Sequence, residues 1–535
     1  MICLLSFNRG RSEIFFVSKG VNRIVIVGGG AAGWLTAGIL AAEHCSHPDS
    51  SVRVKLVESP DINPIGVGEG TWPSMRDSLR KMGVSETDFL RECDASFKQA
   101  SKFVNWVTNE EDDYYYHPFS VPQGFGEINL AHQWQSRHAD KRFADIASYQ
   151  PHLCEQGRAP KQQTTPEFAA VANYAYHLDA VKFGQFLQRF CTEKLGVKHE
   201  LDHVRGIYTA GNGDIASLET EAHGQIEGDL FIDCTGFASQ LLGKHYGIPF
   251  ISRKDTLFCD TALAMQVPYV SKDSPIASHT ISTAQKAGWI WDIGLPTRRG
   301  VGHVYSSSHT SDEEAEQALR NYVRQSGGES SDQSGPPRKI SINPGHRETF
   351  WHRNCVAVGI SAGFIEPLEA SALALIELSA AMIRDELPAT REMMDVVAKR
   401  FNERSRYRWD RIVDFLKLHY VLSKRSDSEF WTDNRQPETI PDRLRELLEI
   451  WCYREPSRRD FWEIEEMFPA ASYQYVLYGM GFQPDRRVSP RQSDDTAAAE
   501  NCFLESARST RKYLAGLPSN RELINLVKSH GMQRT

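Results

Sequence analysis

The chain lacks several of the features by which a sequence declares its class at once. Its ten cysteines stand far apart, at 3, 45, 93, 154, 191, 234, 259, 355, 452 and 502, with no C-x-x-C pair and no histidine at ligand spacing. That spacing argues against structural zinc or a disulfide scaffold and for a reducing cytoplasm. Basic excess is missing too: 61 Lys and Arg against 69 Asp and Glu leave a net charge of −8, which disfavours binding nucleic acid through a positive field. No window approaches the ~18 uninterrupted apolar residues of a membrane helix. The opening MICLLSFNRGRSEIFFVSKG has only a short apolar run with arginines after it, the reverse of a secretory signal, so a non-exported N-terminus is expected. No internal repeat is visible. What remains, 535 residues with 41% hydrophobic and 24% charged side chains, is globular in composition, with room for roughly three to four domains of ~150 residues each.

The first informative segment is NRIVIVGGGAAGWLTAGILAAE. Four β-branched residues, Ile24 to Val27, run into glycines and then into an alanine-rich stretch, which predicts strand, tight turn and helix. Gly28, Gly30 and Gly33 take the G-x-G-x-x-G positions, with Ala31 and Ala32 between them, and the next alternating run, VRVKLVES, carries Glu58 at its end. Such glycines let backbone approach a pyrophosphate at a positive helix N-terminus, while a carboxylate closing the second strand accepts a ribose hydroxyl. INPIGVGEGTWP places Gly66, Gly68 and Glu69 in a second glycine-rich wall of the same site. DLFIDCTG ending at Gly236 and NCVAVG ending at Gly359 read as further strands of a dinucleotide domain assembled from separated segments. The tract from 325 to 339 reads as an exposed loop. Beyond Glu369 the pattern turns helical, up to Tyr420 and past it, and the C-terminal third is expected to be mostly α, with aromatics such as Trp409, Trp431 and Trp451 more often core than ligand wall.

A dinucleotide fold alone supports many chemistries, so the reaction rests on other residues. GGGAAGW at 28 to 34, GVGEGTWP at 66 to 73, FKQASKFVNW at 97 to 106, GWIWDIGLP at 288 to 296, FIEPLEAS at 364 to 371 and FWTDNR at 430 to 435 occur in order. Through them the chain resembles the flavin-dependent tryptophan halogenases over nearly its whole length. The resemblance implies an α/β fold: an FAD-binding, Rossmann-like, flavin-monooxygenase-like domain over 22–380 with inserted substrate-site segments, an extension at 1–21, and a mostly helical substrate-covering region at 381–535. It implies FAD, used reduced, with O2 and halide as co-substrates. No second nucleotide fingerprint is present, so reduced FAD would arrive by diffusion from a separate flavin reductase. No membrane or nucleic-acid partner is implied; a homodimer is admitted but not specified.

The family's active-site lysine falls on Lys98, where hypohalous acid would be held by an ammonium or captured as a haloamine by a free amine. Lys102, four residues on, has the spacing of a solvated helix face. The second catalytic residue falls on Glu369, a carboxylate able to orient the halogenating species, stabilise an arenium cation and take up the ring proton; its competing reading is an acid opening a helix. Ser371 and Ala372 occupy the family's halide-binding amides, where Thr-Gly is usual. His117 and Phe119 match an H-x-F that faces the aromatic substrate. Trp289 and Trp291 match the W-x-W-x-I-P signature of the flavin-side wall, with Gly294 standing where proline is usual. MFPAASYQYVLYG lacks the tryptophan that meets the amino-acid part of free tryptophan, so an indole or other electron-rich arene is the expected substrate class. A flavin monooxygenase and a non-catalytic flavin-binding protein are the competing readings.

Overall fold

The computed structural model describes residues 20–45, 49–61, 68–327, 335–461, 463, 466–484 and 496–534. Gly66 and residues 328–334 of the 325–339 tract therefore lie outside the described residues. Strand β1 (Arg23–Val27) is the centre of a six-stranded sheet, and Ile24 and Ile26 are fully buried in it. A continuous β-branched run suits a strand covered on both faces, the usual condition of a parallel sheet. β1 pairs in parallel with β2 (Arg53–Glu58) on one side and with Leu230–Asp233 on the other, and the latter pairs in parallel with Cys355–Ala357. The separated segments are thus neighbours in one sheet, as the sequence predicts.

Helix α1 (Ala31–His44) joins β1 to β2 and is apolar on most faces because it lies between the sheet and the helices Ala180–Lys194 and Ser371–Asp385. Gly38 allows this close packing: a Cβ there would come 2.8 Å from the Met82 sulfur and 3.1 Å from that of Cys191.

A second, seven-stranded sheet runs in the order Arg338–Ser341, Thr261–Pro268, Arg298–Tyr305, Gly288–Gly294, Thr280–Gln285, Ala100–Val104 and Tyr114–Pro118. All its pairings are antiparallel except that of Thr280–Gln285 with Ala100–Val104. In a small sheet Ala175–Asp179 is flanked by Gly68–Gly70 and Ser96–Lys98, and Gly68–Gly70 lies against Gly288–Gly294 and Arg298–Tyr305 of the seven-stranded sheet. Lys98 and Lys102 lie on two different strands, one in the small sheet and one in the seven-stranded sheet, so the helix-face reading of their spacing is corrected.

The last third is mostly helical, dominated by Arg391–Val421, 31 residues long. One continuous apolar core reaches from Val21 to Val527, and the helix Asn520–His530 docks back on the small sheet, where Asn520 Nδ2 donates to the Phe97 carbonyl at 3.1 Å. Among the described residues no helix is long and apolar enough to cross a membrane.

Candidate active site

The turn after β1 is shaped by what its glycines avoid. Gly28 has φ +115°, and a Cβ there would stand 2.2 Å from the Cys234 carbonyl oxygen; at Gly33 it would stand 1.9 Å from the Gly28 oxygen. At Gly30 it would meet nothing within 4 Å, so that position faces open space ahead of the helix. Gly30 is the N-cap of α1, no side chain caps this end, and its first turn carries no acid. The amides around Ala31 and Ala32 are left to an anion, which the helix dipole also favours. Glu58 ends β2 beside this turn, with Oε2 3.1 Å from His199 Nε2, and burial raises its carboxyl. Gly236 and Gly359, at φ +63° and +76°, turn the chain after the two neighbouring parallel strands at the same edge. A cradle of this kind, with open space over an uncapped helix end and a carboxylate at the next strand, fits a dinucleotide such as FAD. Gly68 and Glu69 lie on the small sheet, where burial pushes the Glu69 carboxyl up to about 7.

Lys98 is 1% exposed and sits at the end of its strand opposite Ala175. Gly70 makes room for it: a Cβ at Gly70 would be 3.2 Å from Lys98 Nζ and 3.3 Å from the Ala370 methyl. The lysine is thereby placed against the turn that carries Glu369. Among the described residues Nζ forms no ion pair, and the ring centroid of Phe119 is 5.4 Å from it. Burial lowers the amine to about 8, opposed by the charge of Glu369.

Glu369 does not open a helix. It precedes the helix Ser371–Asp385 in a tight turn, and it and Ala370 both have left-handed backbone, φ +67° and +56°. Two such residues in succession, neither of them glycine, carry a conformational cost that the surroundings must impose. Those surroundings are visible. The Glu369 carbonyl accepts from Trp72 Nε1 at 2.8 Å, and its carboxylate Oε1 accepts from His117 Nδ1 at 2.8 Å. His419 Nε2 stands 3.4 Å from the same oxygen, while its Nδ1 is 2.6 Å from the Tyr115 hydroxyl. Burial alone would raise the Glu369 carboxyl, but the two histidines outweigh it and hold it below the ordinary carboxylate range.

His117 packs near Phe415 and Tyr475, at ring distances of 5.8 and 6.4 Å, so the predicted pair His117 and Phe119 reaches Glu369 and Lys98 respectively from one strand and the turn after it. Ser371 and Ala372 begin the helix after the turn, whose N-terminus has no side-chain cap, and both line a cavity of about 50 Å³ with Gly359 and Glu366. Trp289 and Trp291 share one face of the strand Gly288–Gly294, with ring centroids 6.4 Å apart. Three residues went unremarked in the sequence. His177 is fully buried near Lys98, its Nε2 2.8 Å from the Thr280 hydroxyl, and burial, then Lys98, push its imidazole well below the usual value. His419 and Trp72 complete the hold on Glu369. Neither histidine sits in a local motif that could have marked it, whereas Trp72 lies within the GVGEGTWP segment.

Among the described residues no group of three or more His, Cys, Asp or Glu side chains is disposed to hold a metal ion. A fully buried amine, an adjacent carboxylate gripped by histidine and a separate glycine cradle thus stand within one structure. The family model for tryptophan halogenase matches residues 23–495. The chain belongs to the tryptophan halogenase family. The tryptophan 6-halogenase of Streptomyces toxytricini is 33% identical, over 94% of this chain and 98% of that one. The crystal structure of a tryptophan halogenase from Shewanella frigidimarina superposes with a TM-score of 0.92 at 49% identity, covering 97% of this chain and 99% of that one. A tryptophan C-6 flavin-dependent halogenase (chlorinase) from taromycin biosynthesis superposes at 0.88 with 34% identity, covering 95% and 100%. The halogenase is thus an enzyme of the flavin-dependent halogenating class, with the Rossmann-like fold read from its glycines.

Proposed function

We propose that this halogenase converts a C–H bond of an electron-rich arene, indole or a tryptophan-like compound, to C–Br or C–Cl, with Lys98 and Glu369 as catalytic residues. The observation that carries the reading is the burial of the Lys98 amine against the Glu369 turn, on a sheet distinct from the Gly28 to Gly33 cradle. Gly28, Gly30, Ala31, Ala32 and Gly33 would hold FAD with Glu58, Gly236 and Gly359. Reduced FAD, when bound, would supply the two electrons that take O2 to the peroxide level, at which it oxidises halide to hypohalous acid and its second oxygen leaves as water. The uncapped amides at Ser371 and Ala372 hold the halide.

With its amine lowered to about 8, Lys98 is mainly ammonium at pH 7, and in that form it donates a hydrogen bond to hypohalous oxygen and polarises the O–halogen bond. Glu369, anionic and fixed by His117, faces the positive charge that develops on the attacked ring and then takes its proton. His117, Phe119, Phe415 and Tyr475 form the aromatic side of the chamber. Trp289 and Trp291 separate it from the flavin side. In this division 22–380 holds cofactor and catalytic pair, while helices within 381–535 bring Phe415, His419 and Tyr475 over the substrate.

The test is direct: incubation with a flavin reductase, NADH, bromide or chloride and a panel of indoles, read by mass spectrometry for halogen isotope patterns. Hydroxylated product without halogenated product would replace this reading with a monooxygenase, and no product with any arene would overturn it.

A further inference from the structure

Three residues before Glu369, a second carboxylate is buried just as deeply. Glu366 is 1% exposed, and its Oε2 accepts from Trp289 Nε1 at 2.6 Å and from the Tyr420 hydroxyl at 2.7 Å, while Oε1 has no hydrogen-bond partner among the described residues. Burial raises this carboxyl, and the bonds from Trp289 and Tyr420 pull the other way.

The choice of acceptor is what requires explanation. Trp72, Trp106, Trp134, Trp351 and Trp431 each donate their indole N–H to a backbone carbonyl, and Trp451 donates to Asp460, a carboxylate that is already paired with Arg454. A carbonyl satisfies an indole without bringing a charge into the core, and burying a carboxylate is costly unless something uses its charge. Trp289 is 1% exposed and yet is bound to such a carboxylate, through the stronger, more directional type of bond.

The other donor links two parts of the site. Tyr420 follows His419 directly on the helix Arg391–Val421, so adjacent side chains of one helix reach the two carboxylates of one turn: His419 stands at Glu369 and Tyr420 binds Glu366. Lys417, one turn back on this helix and fully buried, adds a positive charge that acts on Glu366 while its Nζ donates to Asn434 Oδ1 at 2.9 Å.

We propose that Glu366 is a positioning residue for Trp289. Its carboxylate locks the indole in one orientation, and through Tyr420 it ties that wall to the helix that carries His419 to Glu369. The proposal rests on Trp289 forming the partition between flavin side and chamber, as read above. A wall that loses this anchor samples other orientations, and oxidant made on the flavin side then escapes before reaching Lys98.

The test combines a double-mutant cycle with a measurement on the cofactor-free protein. In Glu366→Gln and in Trp289→Phe, halogenated product per oxygen consumed should each fall by about threefold or more, with the missing oxidant recovered on a scavenger such as methionine in the bulk. Because Glu366→Gln weakens the same bond that Trp289→Phe removes, the double variant should lose no more than the worse single. In protein labelled with 15N at the indoles, the Trp289 N–H resonance, identified by its disappearance in Trp289→Phe, should lie downfield of the carbonyl-bound indoles and move upfield in Glu366→Gln. Additive losses, or an indole resonance indifferent to Glu366→Gln, would overturn the proposal. A parent enzyme that halogenates nothing would instead sink the functional reading, and the resonance would then decide the Glu366 assignment alone.

Discussion

A lysine kept for chemistry in a dry site should weaken the fold that holds it, and Lys98 makes this measurable. Its amine is lowered from 10.5 to about 8 by burial, and the charge of Glu369 recovers only part of the loss. A cation whose folded value lies below its unfolded one destabilises the native state fully below the folded value, and the penalty is gone above the unfolded one. Between about 8 and 10.5 stability therefore rises with pH. At pH 7 the difference of ~2.5 units corresponds to about 3 kcal/mol against the fold, and at pH 9.5 to about half of that. Lys98→Met keeps most of the volume and removes the charge, so it should stabilise the protein by up to about 3 kcal/mol at pH 7, less whatever repacking costs. The gain should shrink towards pH 9.5. The same variant should bind FAD and consume oxygen with the reductase yet halogenate nothing. Urea unfolding at the two pH values, oxygen uptake and mass spectrometry of the arene read the three effects. A variant no more stable than the parent, with a pH-independent difference, would refute the account of the buried amine; product at the parent rate would refute its role.

What could be read along the chain was what is local. The strand, glycine turn and helix from Arg23 to His44 follow from β-branched residues, three spaced glycines and alanines within one stretch, and β2 with its terminal Glu58 comes next. The long helix ending at Val421 announces itself by period. The catalytic turn could not be read this way, because its bonds join residues far apart: His117 and Glu369 are separated by 252 positions, Trp72 and Glu369 by 297, Tyr115 and His419 by 304. Resemblance to a family supplied Lys98, Glu369 and His117, but neither the bond of His117 to Glu369 nor His419 as a second holder. Spacing misled at Lys102, because the chain passes from one sheet to another between it and Lys98 and the two share no element. At Glu369 and Ala370 the residue types gave no warning of left-handed backbone, which glycine or asparagine would have signalled. The strain belongs to the tertiary contacts, and these exist only once the Trp72, His117 and His419 segments have met.

Three further expectations follow from the same geometry. Gly30→Val should fold normally, since a Cβ at Gly30 meets nothing within 4 Å, and should fail to bind FAD because the branched side chain fills the open space above the helix end; an unchanged FAD titration would reject the cradle. With the Ala372 methyl at the halide amides, the larger, more readily desolvated and more readily oxidised bromide should outcompete equimolar chloride, and mainly chlorinated product would count against that placement. The last concerns Glu369, whose carboxylate is fixed by His117 at 2.8 Å and lies 3.4 Å from His419 in a site nearly closed to water. Glu369→Gln keeps the shape and the acceptor oxygen for the His117 N–H, so the turn and its left-handed backbone should persist. What disappears is the negative charge. A preorganised anion facing a developing arenium cation in a low-dielectric site contributes several kcal/mol, and each ~1.4 kcal/mol is tenfold in rate, so halogenation should slow by about a hundredfold or more. Lys98 would lose the charge that now opposes its burial, and its amine should titrate below about 8, which a pH series on Glu369→Gln reads independently of product. Flavin oxidation should be untouched, because the steps before hypohalous acid reaches Lys98 do not use this carboxylate. Halogenation at the parent rate, or a loss matched by slowed flavin oxidation, would show that the carboxylate acts elsewhere than on the ring.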